Sequence, residues 1–243
     1  MSTKVFLLSI VAVVLAFIGG FLLANSINRS ELNTLRSELE SARNTAKRPM
    51  GDDPHSDLSP EEIQAKIDEA NANPDNFNYQ KNLGLALAQY GSAKQDVALI
   101  TQAARLLDRA STLAPDDIDV TIGEGNAAFD IGYFNKDNAS LQKARDYYEK
   151  ALSKRPDDAG VRTEMGMTYF AEDPPQDDKA VAEFKKALAR DPKQVKALEF
   201  IIQALLRQQN RGEAEKYLAE LREANPSDEA LPDLTKQLKT PQK

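Results

Sequence analysis

The sequence predicts an all-α protein: one membrane-spanning helix, a short stalk helix, and then a solenoid of antiparallel helix pairs. Three observations predict it. Residues 5–23 form a run of nineteen without a single charge. Five prolines, Pro74, Pro115, Pro156, Pro192 and Pro226, recur at spacings of 41, 41, 36 and 34. The composition favours helix over sheet, with aromatics at only 7%, no tryptophan, and abundant Ala, Leu, Lys, Glu and Gln.

The apolar run (VFLLSIVAVVLAFIGGFLL) is close to the ~20 residues a helix needs to cross ~30 Å of hydrocarbon, so residues 1–24 are read as a transmembrane anchor. A cleaved signal peptide is the competing reading. Its apolar core usually spans ~7–15 residues and ends in small residues at −3 and −1. Cleavage after Ala24 would put Leu22 at −3, a poor fit. Orientation is less determined. Lys4 precedes the span; Arg29, Arg36, Arg43, Lys47 and Arg48 follow it, and basic residues mark the cytoplasmic side. The very short N-terminal overhang instead suits a signal anchor with an exported domain. The expectation is a single-pass inner or plasma membrane protein with its domain on the exported, periplasmic side.

Residues 25–47 place Leu32, Leu35, Leu39, Ala42 and Ala46 at alternating steps of three and four, a seam of heptad type. Two readings stand side by side, a dimeric coiled-coil stalk and a lone amphipathic spacer. Residues 48–58 break the pattern with proline, glycine and aspartate and read as a linker. The folded domain is expected over residues 59–240. It opens with Ser59 as cap, Pro60 at the first helical position and Glu62 completing a capping box.

The proline register organises everything that follows. Ten residues after each of the first three prolines sits a glycine: Gly84, Gly125 and Gly166. Twelve before each of the last four sits an alanine: Ala103, Ala144, Ala180 and Ala214. Eight before sit Leu107, Tyr148, Phe184 and Leu218, and five before sit Ala110, Ala151, Ala187 and Leu221. Small residues let two antiparallel helices approach. The large ones are expected to fill the gap between successive hairpins. Each proline ends one helix and starts the next, and Asp116-Asp117 and Asp157-Asp158 supply acids where the helix dipole favours them.

These positions resemble the tetratricopeptide repeat (TPR). The third unit carries Met165-Gly166, Tyr169, Ala180, Phe184, Ala187 and Pro192; the first carries Leu83-Gly84, Leu87, Ala103, Leu107, Ala110 and Pro115. The second departs with Glu124 before Gly125 and Ala128 in the tyrosine slot, and the fourth with Ile202 in the glycine slot. The resemblance implies a right-handed superhelix with repeats at about 77–117, 118–157, 159–192 and 195–226. A cap helix is expected at 59–73 and a closing helix at 227–239, with Pro232 interrupting the latter early. The first two repeats exceed the family's usual length by about seven residues, nearly two helical turns. The surplus is expected to lengthen the B helices, starting near Asp96 and Asn138, with Val97, Ile100 and Leu141 forming an added apolar rim. The third repeat's AEDPPQDD insertion reads as a loop.

The resemblance further implies a concave groove lined by the A helices. It maps the lining onto Lys81, Leu85 and Ala88; Ile122, Asn126, Phe129 and Asp130; Thr163, Met167 and Phe170; and Glu199, Gln203 and Arg207. Lys81 fits the first basic slot of the family's carboxylate grip, but Leu85 replaces the expected asparagine. An extended or helical peptide held by Phe129, Met167 and Phe170 is therefore the better expectation. The alternative is that these three only pack within the array.

Other chemistry finds little footing. With net charge −7, nucleic acid is a poor partner. The absence of cysteine removes thiolate ligands and nucleophiles, and the single histidine, His55, lies in the linker. No cofactor and no enzymatic activity are expected, and Asn138-Ala139-Ser140 reads as a helix start rather than a glycosylation acceptor. The expected function is a membrane-tethered scaffold for protein–protein interaction, with a cytochrome c biogenesis factor or periplasmic assembly protein as the narrower alternative.

Overall fold

The computed structural model describes residues 59–240. The predicted anchor (1–24), stalk (25–47) and linker (48–58) lie outside the described residues. Among those described, ten helices and no strand occur: α1 (Pro60–Ala72), α2 (Phe77–Lys94), α3 (Val97–Leu113), α4 (Ile118–Asn135), α5 (Asn138–Lys154), α6 (Ala159–Ala171), α7 (Asp177–Leu188), α8 (Val195–Arg207), α9 (Arg211–Ala224) and α10 (Leu231–Lys239). No described helix is long and apolar enough to cross a membrane.

Local chemistry sets most boundaries. All five register prolines fall in turns, Pro74 between α1 and α2 and the other four between one hairpin and the next helix. Asn76, Asp96, Asp117, Asp158 and Asn210 each accept the backbone N–H three residues on, satisfying a donor the helix start leaves orphaned. Asp137, not Asn138, caps α5, taking the N–H groups of Ala139 and Ser140. Asn138 instead binds Asp173 across the array, through its Nδ2 to the carbonyl (2.9 Å) and its Oδ1 to the N–H (3.2 Å). α10 starts at Leu231 rather than Ser227, with Pro232 in its first turn, because proline suits a helix start and not its interior. α1 lies against α2, and Ile67 and Ala70 of α1 are buried with the first hairpin.

Helices α2–α3, α4–α5, α6–α7 and α8–α9 pair as hairpins, and each second helix also packs on the first helix of the next hairpin. The first helices of neighbouring hairpins, α2, α4, α6 and α8, touch in sequence, whereas the second helices do not pack on one another. A stack closer on one side than the other curves toward the closer side. The inner wall is therefore made of α2, α4, α6 and α8.

Within each of the first three hairpins one glycine meets one large side chain. A Cβ on Gly84 would lie 2.9 Å from Leu107 Cγ, on Gly125 2.6 Å from Tyr148 Cε1, and on Gly166 2.5 Å from Phe184 Cε1. The large residues thus seat on their own hairpin's glycine, not chiefly between hairpins as the sequence suggested. Leu107 does also reach Gly123 of the next hairpin, 3.3 Å from its would-be Cβ.

The surplus residues lengthen both helices of the first two hairpins. The inner helices α2 and α4 have 18 residues against 13 in α6 and α8, and α3 and α5 have 17. The B-helix starts fall where expected, but the extension is shared. The reason is a second glycine–aliphatic lock: Gly91 faces Ile100 and Gly132 faces Leu141, each at 2.8 Å from a would-be Cβ. Ile100 and Leu141 are fully buried between the two extended helices, and Val97 is half-buried, so no separate rim forms.

Residues 172–176 form the expected loop after α6. It is held by a buried ion pair between Glu172 and Arg145 of α5. The Arg145 guanidinium also lies 4.5 Å from the centre of the Tyr169 ring and donates to Thr168 Oγ1 at 3.3 Å. One cluster of buried apolar residues lies beneath α1–α3 and another runs from α4 to α10, and Leu107 and Ala110 of α3 and Val120 and Ala127 of α4 are buried as well.

Candidate functional site: the inner wall

The inner wall collects the side chains at the solvent-facing positions of α2, α4, α6 and α8. Lys81 is committed to the next helix. Its Nζ lies 2.8 Å from Asp117 and 3.3 Å from Asp119, at the N-terminal end of α4. Burial pushes the Asp117 carboxyl up, but its bonds from Lys81 and the Val120 N–H outweigh this and hold it below the ordinary value. A carboxylate grip at this slot would first have to break that pairing. Leu85 packs onto Gly123, whose would-be Cβ lies 2.5 Å from Leu85 Cδ2, and Ala88 is buried.

On α4, Asn126 is exposed and accepts the Tyr148 hydroxyl at 2.9 Å. Ile122 is half-buried. Phe129 is only 9% exposed and stacks on Tyr133, with ring centres 5.9 Å apart and planes 15° apart. Asp130 is half-buried. Burial pushes its carboxyl up and the Glu164 charge adds to this, while the Ser92 hydroxyl and Lys196 pull it down less strongly.

On α6, Thr163 is buried and donates to the Ala159 carbonyl at 2.8 Å, and Met167 is 8% exposed. Phe170 is half-buried between the Phe200 ring, edge-on at 5.2 Å, and the Arg207 guanidinium, 3.6 Å above it. Arg207 is held there by the Phe170 carbonyl at 3.1 Å and by Asp177. Two of the three expected apolar anchors therefore spend their surface inside the array, and the third lies under an arginine.

On α8, Gln203 is half-buried. Glu199 faces Asp228, from the turn before α10; burial first and then Asp228 push its carboxyl up to about 6. Lys196 pairs with Glu164 at 2.8 Å. The wall thus brings together Asn126, Asp130, Glu164, Lys196, Glu199 and Asp228. Sequence reasoning missed Glu164 and Asp228 as parts of the wall, and with them Tyr133. Tyr133 lies three residues beyond Asp130, on the same side of α4, in the added turn that the sequence reading gave to the B helix.

A solenoid of helix hairpins with their first helices inside is the architecture of the tetratricopeptide repeat, and the described residues form a TPR-like solenoid of this kind. Residues 178–238, from α7 into α10, match the family model described as tetratricopeptide repeat. Among curated proteins, none matches this chain in sequence. Among solved structures, a thermophilic TPR protein of Thermus thermophilus is 18% identical with a TM-score of 0.56, over 73% of this chain and 89% of that one. MamA of Desulfovibrio magneticus RS-1 is 18% identical with a TM-score of 0.54, over 70% and 86%. A further MamA structure is 21% identical at 0.54, over 68% and 87%. At these identities the likeness concerns the fold.

Proposed function

We propose that this chain is a membrane-tethered scaffold that holds a partner polypeptide along the inner wall of its repeat array. The observation that carries the reading is the placement of Asn126, Asp130, Glu199 and Gln203, polar and at least partly open to solvent, on one wall built by successive inner helices. Backbone groups of an extended peptide find donors and acceptors there. The tether is supported by the uncharged run at residues 5–23. A tether raises the effective concentration of the wall toward membrane partners. Pairing through residues 25–47 would add a second wall in the same particle. The reading assigns the wall no reaction and no cofactor.

A photocrosslinking amino acid at Asn126, compared with one at Asp146 on the exposed side of α5, tests the site in native membranes. Polypeptide adducts from Asn126 and not from Asp146 are expected; equal yields, or adducts from Asp146 alone, would remove the wall as the site. Reporters fused to the C-terminus decide the orientation, and a cytoplasmic signal would overturn the exported placement. Sedimentation of the full chain in detergent tests the stalk, where a strict monomer rules out pairing.

A further inference from the structure

The step between the long and the short inner helices leaves an aromatic face uncovered beside an acidic strip. In the proline register, Asp130 corresponds to Ala171, the last residue of α6, and Tyr133 corresponds to Pro174, in the loop beyond it. The last turn of α4 therefore outruns its neighbour. Tyr133 is 56% exposed there, the most exposed large apolar side chain among the described residues. One face of its ring stacks on Phe129, and Phe134 meets it edge-on at 5.6 Å. More than half of the Tyr133 surface nevertheless stays open to solvent. Exposed aromatic surface of this kind, held flat by a stacked neighbour, marks a contact site more than an isolated apolar residue does.

The charge around this face decides the occupant. Residues three apart on a helix are surface neighbours, with Cβ atoms about 5–6 Å apart, so Asp130 and Tyr133 lie side by side on the surface of α4. The cations on the neighbouring inner helix are engaged elsewhere, Lys196 by Glu164 and Arg207 by Asp177. Farther along, Glu199 and Asp228 add two more carboxyl groups that face each other, and Lys196 offsets only part of their mutual effect on Glu199. An open ring face beside a carboxylate is what a guanidinium or ammonium requires, with cation–π attraction on one side and a charge-assisted hydrogen bond on the other.

We infer that the inner wall at the α4–α6 step binds an arginine or lysine side chain of a basic peptide segment, stacked on Tyr133 and paired with Asp130. This rests on the reading of the inner wall as a peptide site and names the chemistry of what it takes. Acidic segments are rejected by the same strip. Asp130 is half-buried, and burial holds its carboxyl above the ordinary value against the weaker pull of the Ser92 hydroxyl and Lys196, so a cation entering the site favours its charged form.

The test uses the full chain in detergent and fluorescein-labelled peptides of one sequence with arginine, citrulline or glutamate at two positions. Fluorescence anisotropy is read at low salt. The arginine peptide is expected to bind, the citrulline form about tenfold more weakly, and the glutamate form not at all. Asp130→Asn should weaken the arginine peptide about tenfold. Tyr133→Ala should weaken it about two- to fivefold, while Tyr133→Phe keeps it. Asp116→Asn, at an exposed carboxylate paired to Lys154 elsewhere in the array, should leave it unchanged. Circular dichroism checks that each variant keeps its helix content. Wild-type binding by both Asp130→Asn and Tyr133→Ala overturns the inference, since attraction to net charge would then explain any affinity. Equal binding of all three peptides that still falls with Tyr133→Ala overturns the cation preference and leaves the wall reading standing. The absence of Asn126 crosslinks removes the wall reading itself.

Discussion

Glu199 and Asp228 place one carboxyl against another at the end of the inner wall, and the consequence is a defined pH dependence. Glu199 titrates near 6 in the folded chain and near 4.5 in the absence of the fold. Between those values the folded state holds more protons than the unfolded one, so this group's contribution to stability is fully present only below pH 4.5 and is lost as pH rises through about 6. Thermal unfolding of the wild type and Glu199→Gln from about pH 4 to 7 should show the variant gaining on the wild type across that window and keeping a constant lead above it. A difference independent of pH would place the cost elsewhere. Arg145 and Glu172 give the opposite lesson. Their side chains are only 5% and 7% exposed, so truncating one strands the other. Arg145→Ala should cost about 3–5 kcal/mol in urea unfolding, while Arg145→Met combined with Glu172→Leu should recover most of it. A single variant within about 1 kcal/mol of wild type would mean that water reaches Glu172. Neither pair was legible in the sequence. Arg145 is an arginine on an amphipathic helix, Glu172 opens a proline-rich loop, and a whole inner helix separates them, so nothing local says that they meet.

At the scale of the helix pair, the proline register was legible and its consequences were not all read correctly. The glycines and the large residues that seat on them are named by spacing alone, because a hairpin brings position and partner together at a fixed sequence offset. Where the inserted turns go was less visible, since Gly91 and Ile100 acquire meaning only as mutual neighbours across the hairpin. Gly132→Ala tests that lock directly. The added Cβ would meet Leu141 Cγ at 2.8 Å and the Leu141 backbone nitrogen at 2.9 Å. A side chain can turn away but the backbone cannot, so a loss of about 1–3 kcal/mol is expected. Gly212→Ala in α9, where a Cβ meets nothing within 4 Å, should instead gain about 0.5 kcal/mol. Equal effects at the two sites would reduce both to helix propensity. The ends of α2, α4 and α8 carry a different cost. Gln95, Lys136 and Gln209 adopt φ of 55°, 54° and 62°, a conformation usually left to glycine. At Gln95 the Asp96 N–H closes on the Gly91 carbonyl at 2.8 Å, so the chain reversal is fixed whatever the side chain. Gln95→Gly should raise the unfolding free energy by about 0.5–1 kcal/mol, the αL penalty less glycine's added unfolded-state entropy. A loss instead would show that the Gln95 side chain contributes more than its backbone costs.

At the scale of the whole array, one side chain sets the α3–α4 joint apart from the later one. The ninth residue after each proline is Leu83 in α2 and Met165 in α6, and in α4 it is Glu124. Met165 is 4% exposed and belongs to the main core, whereas Glu124 is almost as enclosed but carries a carboxyl. Burial pushes that carboxyl up; the Ser111 and Tyr147 hydroxyls bind it, the Asp108 charge opposes it, and Oε2 finds no hydrogen-bond partner. Leu85 and Leu107 meet Gly123 at the joint between the first hairpin and the rest, but the next position holds a poorly satisfied carboxylate where the later joint has methionine. In a stack whose stability is the sum of unit and interface terms, the weakest interface sets where the array opens first. Amide hydrogen exchange should therefore show α1–α3 opening at a lower free energy than α5–α9. Glu124→Met should close the difference by raising protection in α1–α3 more than elsewhere, since Ser111 and Tyr147 both retain access to solvent when the carboxylate is gone. Should α1–α3 already exchange with the remainder as one unit in the wild type, the polar joint is no weak point, and coupling across the α3–α4 contact, where Leu107 bears on Gly123, outweighs the cost of burying Glu124.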